Sequence, residues 1–512
     1  MNSFEIIFFP FYIINVILLF YYGIHTYVMV YLCNKYKGKT ELQSIELDEY
    51  PHVTIQLPIF NEKYVVERVI RAAIEIDYPK EKKEIQVLDD STDDCLDISK
   101  QLVREYKKKG YDIVLMHRTK RTGHKGGALR EALNAVKGDY IAIFDADFVP
   151  HKMFLKATVP YFKDKNVGMV QTRWGHVNAD YSLLTRAQSI GIDGHFIVDQ
   201  IARGGSEKLF MNFNGTAGIW SKACILDAGN WQDDTLTEDF DLSYRAMLKG
   251  WKFKYVKDVV NDQELPVQIS AYKSQQFRWA KGSIQTAIKL TKKIVSARQP
   301  LSTKIEAITH LTYYTIHPLM IINILLTIPV LYLYPKVASL SQNNIHFIIA
   351  GIFFAIATLG PLFFYSYSQF FLYKDWKKKI FWVPFMMIFG VGIAVNNTKA
   401  FLEAIVGKKS AFIRTPKHGI QKTSDTWQNK KYKSPVSFIS IIEFLMGCLT
   451  AFGIYLAIQT KNYLAIPFLS IYMIGFYYVF IMEMIQTIAQ LKSQKMAFQV
   501  SGYVPENNNK LK

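Results

Sequence analysis

The sequence lacks the signatures of several common enzyme classes. No pair of histidines has the spacing of a zinc protease, and neither a Gly-x-Ser-x-Gly motif nor a Walker loop is present. Its four cysteines lie far apart, so they form neither a zinc-type spacing nor a disulfide framework. The sequence therefore gives no support to a zinc protease, an α/β-hydrolase, a P-loop nucleotidase or a disulfide-stapled protein. The cysteines are Cys33, Cys95, Cys224 and Cys448.

Acidic residues are the scarcer charge: 43 Asp and Glu stand against 61 Lys and Arg, which gives a formal net charge of +18. Nucleic-acid binding is one explanation of such an excess, but no DNA- or RNA-binding motif is visible. Anchoring at a membrane surface and attraction of nucleotide diphosphates are the other two explanations. We favour these two and expect no nucleic-acid partner.

Hydrophobic residues make up 50% of the chain and charged residues 20%, which is typical of a protein that is part membrane-embedded and part water-soluble. A membrane-spanning helix needs ~20 mostly apolar residues. Five segments meet this requirement. A polar region, from residue 34 to residue 307, separates the first segment from the other four. The predicted spans are Ile6–Cys33, Ile308–Tyr334, His346–Tyr373, Val436–Ile458 and Tyr463–Ile488.

The distribution of lysine predicts the orientation of these spans. Lys35, Lys37 and Lys39 follow the first span, which we interpret as an uncleaved anchor with its N-terminus outside. We therefore predict a multi-pass protein of the plasma or inner membrane whose catalytic region is cytoplasmic. The predicted domains are an anchor (1–34), a cytoplasmic domain (35–300), a membrane domain (301–490) and a cytoplasmic tail (491–512).

The segment 380–395 is apolar but short, and it contains Pro384, Gly390 and Gly392. If it crossed the membrane, eight Lys or Arg residues between Lys408 and Lys433 would lie outside. We therefore predict that 380–407 is an interfacial or re-entrant helix within a larger region, 380–435. Six spans is the alternative.

Strands and helices alternate in the polar region, which predicts an α/β domain with a mostly parallel sheet. Ligands of such sheets bind beyond the carboxyl ends of the strands, and two acidic motifs fall at such ends. The predicted strands are 53–57, 84–88, 112–117 and 139–144, and the predicted helices include 62–76 and 125–137, the latter capped by Gly138.

Asp145 and Asp147 follow one of these strands and flank a single residue. Two carboxylates so close repel each other unless a cation lies between them, which favours Mg²⁺ or Mn²⁺ bridging to diphosphate oxygens. A turn that caps the next helix is the alternative. Asp90 ends another strand and is a candidate to accept hydrogen bonds from a base or ribose. Lys125 begins a helix after a glycine-containing loop and is a candidate anion-binding residue.

Two further motifs supply a base and a surface for an acceptor. Glu238 and Asp239 open a helix, where the helix dipole alone would stabilise acids. We predict Asp239 as a general base, with Glu238 as the alternative on spacing. Gln275, Arg278 and Trp279 share one helical face, where the ring offers a flat apolar surface and the other two offer hydrogen-bond donors. Core packing of this face is the alternative.

Taken in order, these motifs resemble those of family-two inverting glycosyltransferases of the cellulose-synthase superfamily. The resemblance is strongest to cellulose-synthase-like mannan and glucomannan synthases. It runs from about Leu57 to about Gly419 and includes QVLDDSTD, AIFDADFVP, FNGTAGIW, TEDFDLSYRAMLKGWKF and QQFRWAKG. It implies a GT-A-type α/β domain inserted in an α-helical membrane domain.

The resemblance also implies roles for individual residues. Asp90 and Lys125 would bind nucleotide, and Asp145 and Asp147 would hold diphosphate and metal. Asp239 would be the base. Gln275, Arg278 and Trp279 would lie at the acceptor end, and we place Glu238 there as well. The stretch Phe412-Ile413-Arg414-Thr415-Pro416-Lys417 is similar to the gating loop of bacterial cellulose synthase, although Arg414 and Pro416 depart from its pattern.

We therefore expect transfer of a hexose from GDP-mannose or UDP-glucose to a growing β-linked glycan, processive and coupled to secretion. The spans carry aromatic residues that could stack sugars or face lipid, such as Tyr313, Tyr314, Tyr365 and Phe370. The alternative is a non-processive enzyme with a lipid acceptor. A non-catalytic scaffold or transporter is a third class, but a transporter should carry more ionisable residues within its spans.

Overall fold

The computed structural model describes residues 3–340, 345–410, 414–428, 430 and 438–501. The chain begins with a long apolar helix, α1 (Ser3–Tyr36), whose lysine-rich end leads into an α/β domain. The first half of that domain alternates strands and helices as the sequence predicts. Its elements are β1 (Val53–Ile59), α2 (Val66–Ile74), β2 (Lys83–Asp89), α3 (Cys95–Lys108), β3 (Asp112–Met116), α4 (His124–Ala132) and β4 (Tyr140–Ile143).

The second half of the domain contains two long strands and two short ones. A π-helical turn (His195–Asp199) joins two of its helices. Its elements are β5 (Phe148–Val149), α5 (Phe154–Thr158), β6 (Val167–His176), α6 (Leu183–Gly194), α7 (Gln200–Ser206), β7 (Gly218–Ser221), α8 (Lys222–Asp227), α9 (Glu238–Leu248) and β8 (Lys252–Gln263).

The sheet has eight strands in the order β3-β2-β1-β4-β7-β6-β8-β5. The strands β3, β2, β1 and β4 are parallel, and every residue of β1 and β2 is buried, as expected for strands covered on both faces. The prediction of a mostly parallel sheet holds for this half and for the β6–β8 pair, which is also parallel. Strand β7 enters antiparallel between β4 and β6, and β5 pairs antiparallel with β8, so the whole sheet is mixed.

The predicted helix 125–137 ends earlier than expected. α4 stops at Ala132, and a short 3₁₀ turn follows it. Gly138 does not cap this helix. It packs against β1, where an added Cβ would lie 2.6 Å from the backbone nitrogen of Thr54. The glycine is therefore explained by close packing of two backbones.

The rest of the described chain is helical. A long amphipathic helix, α10, leads towards the membrane helices, and a break at Pro300 separates it from α11. The helices are α10 (Ile269–Ser296), α11 (Leu301–Leu311), α12 (Ile316–Leu340), α13 (Ile345–Leu372), α14 (Trp376–Ile380), α15 (Val383–Gly392), α16 (Ala394–Ile405), α17 (Ile439–Gln459) and α18 (Ile466–Ser501).

Within the described ranges, five helical segments are long and apolar enough to cross a membrane, as the sequence predicts. The segments Trp376–Gly392 and Ala394–Ile405 meet at an angle of 45°, and counting this bent pair as one span would give six. That bend fits the predicted interfacial or re-entrant helix, which stays a prediction. The five candidate spans are Pro10–Thr40, Tyr313–Leu333, Gly351–Leu372, Ile439–Gln459 and Tyr463–Lys492.

Candidate active site

Three of the predicted carboxylates lie at the carboxyl ends of β2 and β4, an edge that we call the strand-end rim. Each is paired with its own basic side chain. The guanidinium of Arg118 donates to both oxygens of Asp90, at 2.9 and 2.5 Å. Lys125 Nζ lies 2.5 Å from Asp145 Oδ1, and Lys417 Nζ lies 2.6 Å from Asp147 Oδ2. The rim is thus a row of charge pairs.

Lys125 is delivered to the rim by the turn that starts α4. Gly123, with φ +71°, precedes the helix in a conformation that favours glycine. Lys125 Nζ also donates to the carbonyl oxygen of Gly215, at 2.8 Å. Burial by itself lowers the pKa of this ammonium, but the neighbouring carboxylates of Asp145 and Glu238 outweigh burial, so the pKa is raised. Lys125 is therefore a cation held among acids.

The predicted metal site is tested by the donor set around Asp145 and Asp147. Both side chains supply the hard oxygen donors that Mg²⁺ and Mn²⁺ prefer. Within the described residues, no group of three His, Cys, Asp or Glu side chains could hold a metal by itself. Two carboxylates still suit a cation that takes its remaining ligands from diphosphate and water. The residues present fit such a cation.

Glu238 and Asp239 begin α9 beside Gly215. An added Cβ on Gly215, whose φ is +80°, would lie 2.9 Å from Asp239 Oδ2, so only glycine fits this approach. Asp239 Oδ1 accepts from the backbone N–H of Phe240 at 2.8 Å. Burial raises the pKa of Asp239 to about 7, the Glu238 carboxylate adds to the shift, and Lys125 opposes it. Burial also raises the pKa of Glu238.

Helix α10 brings the predicted acceptor motif against α9. Gly282 allows this contact, because an added Cβ would lie 2.5 Å from Thr237 Cγ2. Gln275 and Trp279 line the same cavity as Asp239. Arg278 Nη2 donates to Thr415 Oγ1 at 2.7 Å. Burial lowers the pKa of its guanidinium to about 10, against the opposing effect of the nearby carboxylates of Glu238 and Asp145.

The segment from Arg414 onwards crosses the strand-end rim, and Phe412 and Ile413 of the predicted gating loop lie outside the described residues. Arg414 Nη1 lies 3.0 Å from Glu62 Oε1. Burial raises the pKa of Glu62 to about 7, although Arg414 opposes the shift. The backbone N–H groups of His418 and Gly419 donate to the Glu264 carboxylate at 2.8 and 2.9 Å. The loop is thus docked on the site by ion pairs and backbone hydrogen bonds.

A cavity of about 370 Å³, which we call the central cavity, connects Asp239 and Trp279 with the membrane helices. Of the aromatic residues predicted as sugar-stacking candidates, Tyr313, Tyr314 and Tyr365 line it. Phe370 does not: its side chain is exposed, and its ring packs on Trp376. The interpretation of these residues as a lipid-facing belt therefore suits Phe370 alone.

Sequence reasoning missed a polar group in this cavity. Asn214 Oδ1 lies 2.7 Å from His195 Nε2 and accepts from Asn212 Nδ2 at 3.1 Å. Its buried Nδ2 has no hydrogen-bond partner within the described part of the chain. His195 belongs to the π-helical turn, a feature that often marks functional sites. Asn214 lies in the stretch FNGTAGIW, which carries part of the family resemblance, and this is the signal by which it could have been found. Nothing in the sequence pairs it with His195.

Comparison with known proteins agrees with this geometry. Residues 51–282 match the family model described as "Glycosyltransferase like family 2". A "Probable glucomannan 4-beta-mannosyltransferase 7" of Oryza sativa subsp. japonica is 45% identical over 255 residues, 49% of this chain and 43% of the relative. "Glucomannan 4-beta-mannosyltransferase 7" of Arabidopsis thaliana is 42% identical over 254 residues, 48% of this chain and 45% of the relative. The match spans less than half the length of these curated relatives.

Among solved structures, a mannosyltransferase from Pyrobaculum calidifontis, in complex with GDP-Man and Mn²⁺, has a TM-score of 0.52. It is 18% identical, and the superposition covers 77% of this chain and 99% of that one, so the likeness concerns the fold. The sheet and its rim therefore define a GT-A-type glycosyltransferase domain. Residues 51–282 match this glycosyltransferase family 2 model and are similar to the glucomannan mannosyltransferases.

Proposed function

We propose that this protein is an inverting, membrane-embedded hexosyltransferase that extends a β-linked glycan and passes the product towards its membrane helices. The central cavity carries this proposal, because it joins the candidate base Asp239 to tyrosines at the membrane helices without leaving the protein interior. GDP-mannose is our first choice of donor, because the relatives that are 42–45% identical over about half of this chain are named mannosyltransferases. UDP-glucose is the alternative.

The donor would bind at the strand-end rim. Asp90, which pairs with Arg118, would contact the nucleoside, and Lys125, which pairs with Asp145, would contact the diphosphate. Asp145 and Asp147 would hold Mg²⁺ or Mn²⁺, which offsets the charge that develops on the leaving diphosphate. Lys417 and Arg414 enter from the opposite side and would close the site over the donor. The pairs seen at the rim are those that an anionic donor and its cation would replace.

The transfer step would proceed from the cavity side. The oxygen of an acceptor hydroxyl attacks the anomeric carbon while the bond from that carbon to the diphosphate oxygen breaks. Asp239 takes the hydroxyl proton, and the nucleoside diphosphate leaves with the electron pair of the broken bond. An α-linked donor then gives a β-linked product. A base with a pKa of about 7 is suited to this work at neutral pH.

The acceptor would lie across Trp279 and extend along the central cavity. The indole gives a sugar ring a flat surface, and Gln275 on the same helix offers donors and an acceptor for hydroxyl groups. Asn214 offers an unmet amide N–H in the same cavity, so it is a further candidate for a sugar hydroxyl. Tyr313, Tyr314 and Tyr365 continue the aromatic surface away from the base.

A lipid acceptor is the second candidate, and one observation favours it. Met320, Met386 and Met387 also line the central cavity, and these flexible apolar side chains suit an acyl or prenyl chain better than a sugar. In that case the protein would add one sugar to a lipid and stop. The catalytic assignments are the same for both acceptors.

The two functions are separated by the product made in membrane vesicles from a panel of radiolabelled nucleotide sugars. We expect long, glycosidase-sensitive polymer while little donor has been consumed, and none from vesicles that carry Asp239→Asn. A single labelled sugar on an extractable lipid would exclude the polymer. Incorporation from neither donor would contradict the hexosyltransferase assignment.

The arrangement in the membrane belongs to the same proposal. Lysines follow the first span and follow α13, which favours a cytoplasmic catalytic domain in a plasma or inner membrane. The predicted boundaries at 34, 300 and 490 would then separate the anchor, the transferase domain, the membrane domain and the tail. Because Cys95 and Cys224 of the α/β domain are buried, the test labels a single cysteine introduced at an exposed position of that domain. Labelling from each side of sealed vesicles should find this cysteine reactive from the cytoplasmic side.

A further inference from the structure

A second cavity, of about 550 Å³, lies outside the proposed transferase site. We call it the boundary cleft. Its walls come from the end of α1, from β6 and β8, from the π-helical turn and from the end of α13. No described residue lines both this cleft and the central cavity. The residues that line the cleft include Lys37, Arg173, Ile197, Lys257, Phe371 and Leu372.

The boundary cleft lies where the membrane helices meet the α/β domain. Lys37 lies near the end of the candidate span Pro10–Thr40, and Leu372 ends the span Gly351–Leu372. Both spans therefore reach the membrane surface beside the cleft. Basic residues cluster at the same level, because Lys35 and Lys39 flank Lys37, and Lys374 follows α13. Such clusters next to spans attract anionic lipid headgroups.

The cationic wall of the cleft is built by an irregularity in the sheet. Along the β6–β8 pair, the partner of Thr172 is Val256, but the partner of Arg173 is Val260. The three residues between those partners leave the ladder, and they include Lys257. Arg173 Nε donates to the carbonyl oxygen of Lys257 at 3.1 Å, which fixes this bulge. Bulges of this kind commonly redirect side chains at functional sites.

The charges of the cleft are not balanced. Three cations line it, Lys37, Arg173 and Lys257, against the two carboxylates Glu41 and Asp258. Both carboxylates pair with Lys257, whose Nζ lies 3.0 Å from Asp258 Oδ1 and 3.7 Å from Glu41 Oε1, and Asp258 also accepts from the backbone N–H of Leu42 at 2.8 Å. Arg173 and Lys37 remain as the cations that no carboxylate of the cleft pairs with among the described residues. Among the described residues the guanidinium of Arg173 donates through Nε, so its two Nη groups can meet an oxyanion. Arginine is well suited to phosphate, because its planar fork matches the oxygens.

The remaining wall is apolar. Ile197 is fully buried, and Phe371 and Leu372 are half-buried side chains at the end of a membrane helix. A soluble phosphate has no apolar part to contact this wall. A membrane phospholipid carries a phosphate beside a glycerol backbone and acyl chains, so it can contact both the cations and the wall. The juxtaposition of cations and an apolar wall at the membrane surface therefore fits a lipid.

We propose that the boundary cleft binds the phosphate headgroup of an anionic membrane phospholipid. Arg173 and Lys37 would contact the phosphate oxygens, with Lys257 at the rim of the cleft. The half-buried Phe371 and Leu372 would contact the first carbons of the lipid. This site is additional to the proposed transferase function, and its occupant is neither donor nor acceptor.

The test measures lipid binding by the purified full chain in detergent, by native mass spectrometry. Dioctanoyl phosphatidic acid and dioctanoyl phosphatidylcholine are compared at equal concentration. We expect retention of the anionic lipid and a ~10-fold weaker affinity in Arg173→Gln, because a charge-assisted, forked contact is lost. Lys37→Gln should weaken binding less. The matched control is Lys252→Gln. Lys252 is an exposed lysine that lies outside the cleft, on the same strand (β8) as Lys257, and it pairs with Asp164.

Three results would overturn the proposal. The first is equal retention of the two lipids, and the second is unchanged affinity in both Arg173→Gln and Lys37→Gln. The third is competition by inorganic phosphate at the concentration of the lipid, which would assign the cleft to a soluble phosphate. Because Lys37 is exposed, its variant keeps the test valid if Arg173→Gln fails to fold. The measurement involves no sugar transfer, so its failure is separate from failure of the proposed function.

Discussion

At the strand-end rim three carboxylates each hold their own basic side chain, whereas at the start of α9 two adjacent carboxylates face each other. Asp90, Asp145 and Asp147 thus each have an opposite charge within hydrogen-bonding distance, although burial still raises the pKa of Asp145 against the opposing effect of Lys125. Asp239 has a pKa of about 7, because burial and the Glu238 carboxylate outweigh the effect of Lys125. The carboxylates of the rim and those of α9 therefore have different electrostatic environments, although Lys125 interacts with both groups.

This difference indicates which half of the site exchanges partners and which half exchanges a proton. A carboxylate paired with lysine can release that lysine to a diphosphate when a divalent cation takes its place. A carboxyl group held near neutrality can instead take up and release a proton within the working pH range. The predictions below test this division between a donor half and an acceptor half.

The largest expected effect comes from removing the metal. With excess EDTA we expect no detectable transfer, because the leaving diphosphate would keep its charge and Asp145 and Asp147 would stay paired with lysine. Addition of Mg²⁺ or Mn²⁺ beyond the chelator should restore turnover in vesicles. EDTA already saturated with Mg²⁺ is the control. Full activity in excess chelator would refute a metal role for this pair.

Replacement of the base is expected to have the next largest effect. Asp239→Asn keeps the size of the side chain and removes its basicity, so kcat should fall ~10²–10⁴-fold. Binding of the nucleotide sugar should survive, because Asp239 lies on the cavity side and not on the rim. Glu238→Gln is the matched comparison. If that variant is inactive while Asp239→Asn turns over normally, the two roles are exchanged.

The pH dependence follows from the raised pKa of Asp239. A general base works only when it is deprotonated. We therefore expect kcat/KM to rise with pH and to level off above about 7, the pKa of Asp239 in the folded protein. At pH 5 we expect a rate ~100-fold below the plateau, since a base loses tenfold per pH unit below its pKa. In Glu238→Gln the rising limb should move to lower pH, because a neighbouring negative charge is gone. A flat profile between pH 5 and 8 would contradict this assignment.

The half of the sheet that carries the rim could be predicted from sequence because its signals are local. Strands β1 and β2 are short segments with closely spaced Val, Ile and Leu residues, and Asp90 follows β2 directly in the chain. The five candidate spans are long apolar segments and were equally visible. The antiparallel β7 was not predictable in this way. It has four residues, and its place between β4 and β6 is set by pairing with distant strands.

The ion-pair and hydrogen-bond partners of the site residues could not be predicted either, because they lie far away in the sequence. Asp147 and Lys417 are 270 positions apart by their numbers, and no periodic pattern connects them. Arg278 looked like a partner of Trp279, because both lie on one helical face, yet it reaches Thr415 on the docked loop. Helical spacing shows which side chains share a face, but the element packed on that face decides what each one contacts.

A smaller effect is expected from the loop lysine. Lys417→Gln removes the ammonium that pairs with Asp147, and with it a cation close to the proposed diphosphate. We expect the KM for the nucleotide sugar to rise ~10-fold, with a smaller change in kcat, because a charge-assisted contact to the donor is lost. Lys422→Gln, an exposed lysine of the same segment, should leave KM unchanged. A change in product length without a change in KM would place Lys417 in the acceptor half.

The smallest effect should come from Trp279, and it should appear in the product rather than in the use of the donor. Trp279→Ala removes the flat surface in the central cavity but leaves the rim intact. Stacking on an aromatic ring is worth ~0.5–1.5 kcal/mol, so elongation should fall roughly 3- to 10-fold. Hydrolysis of the nucleotide sugar in the absence of acceptor should change little. Trp279→Phe keeps an aromatic face and should retain most of the polymer length. Equal loss of hydrolysis and elongation in Trp279→Ala would mean that this ring supports the whole site, and the division between the two halves would fail at this residue.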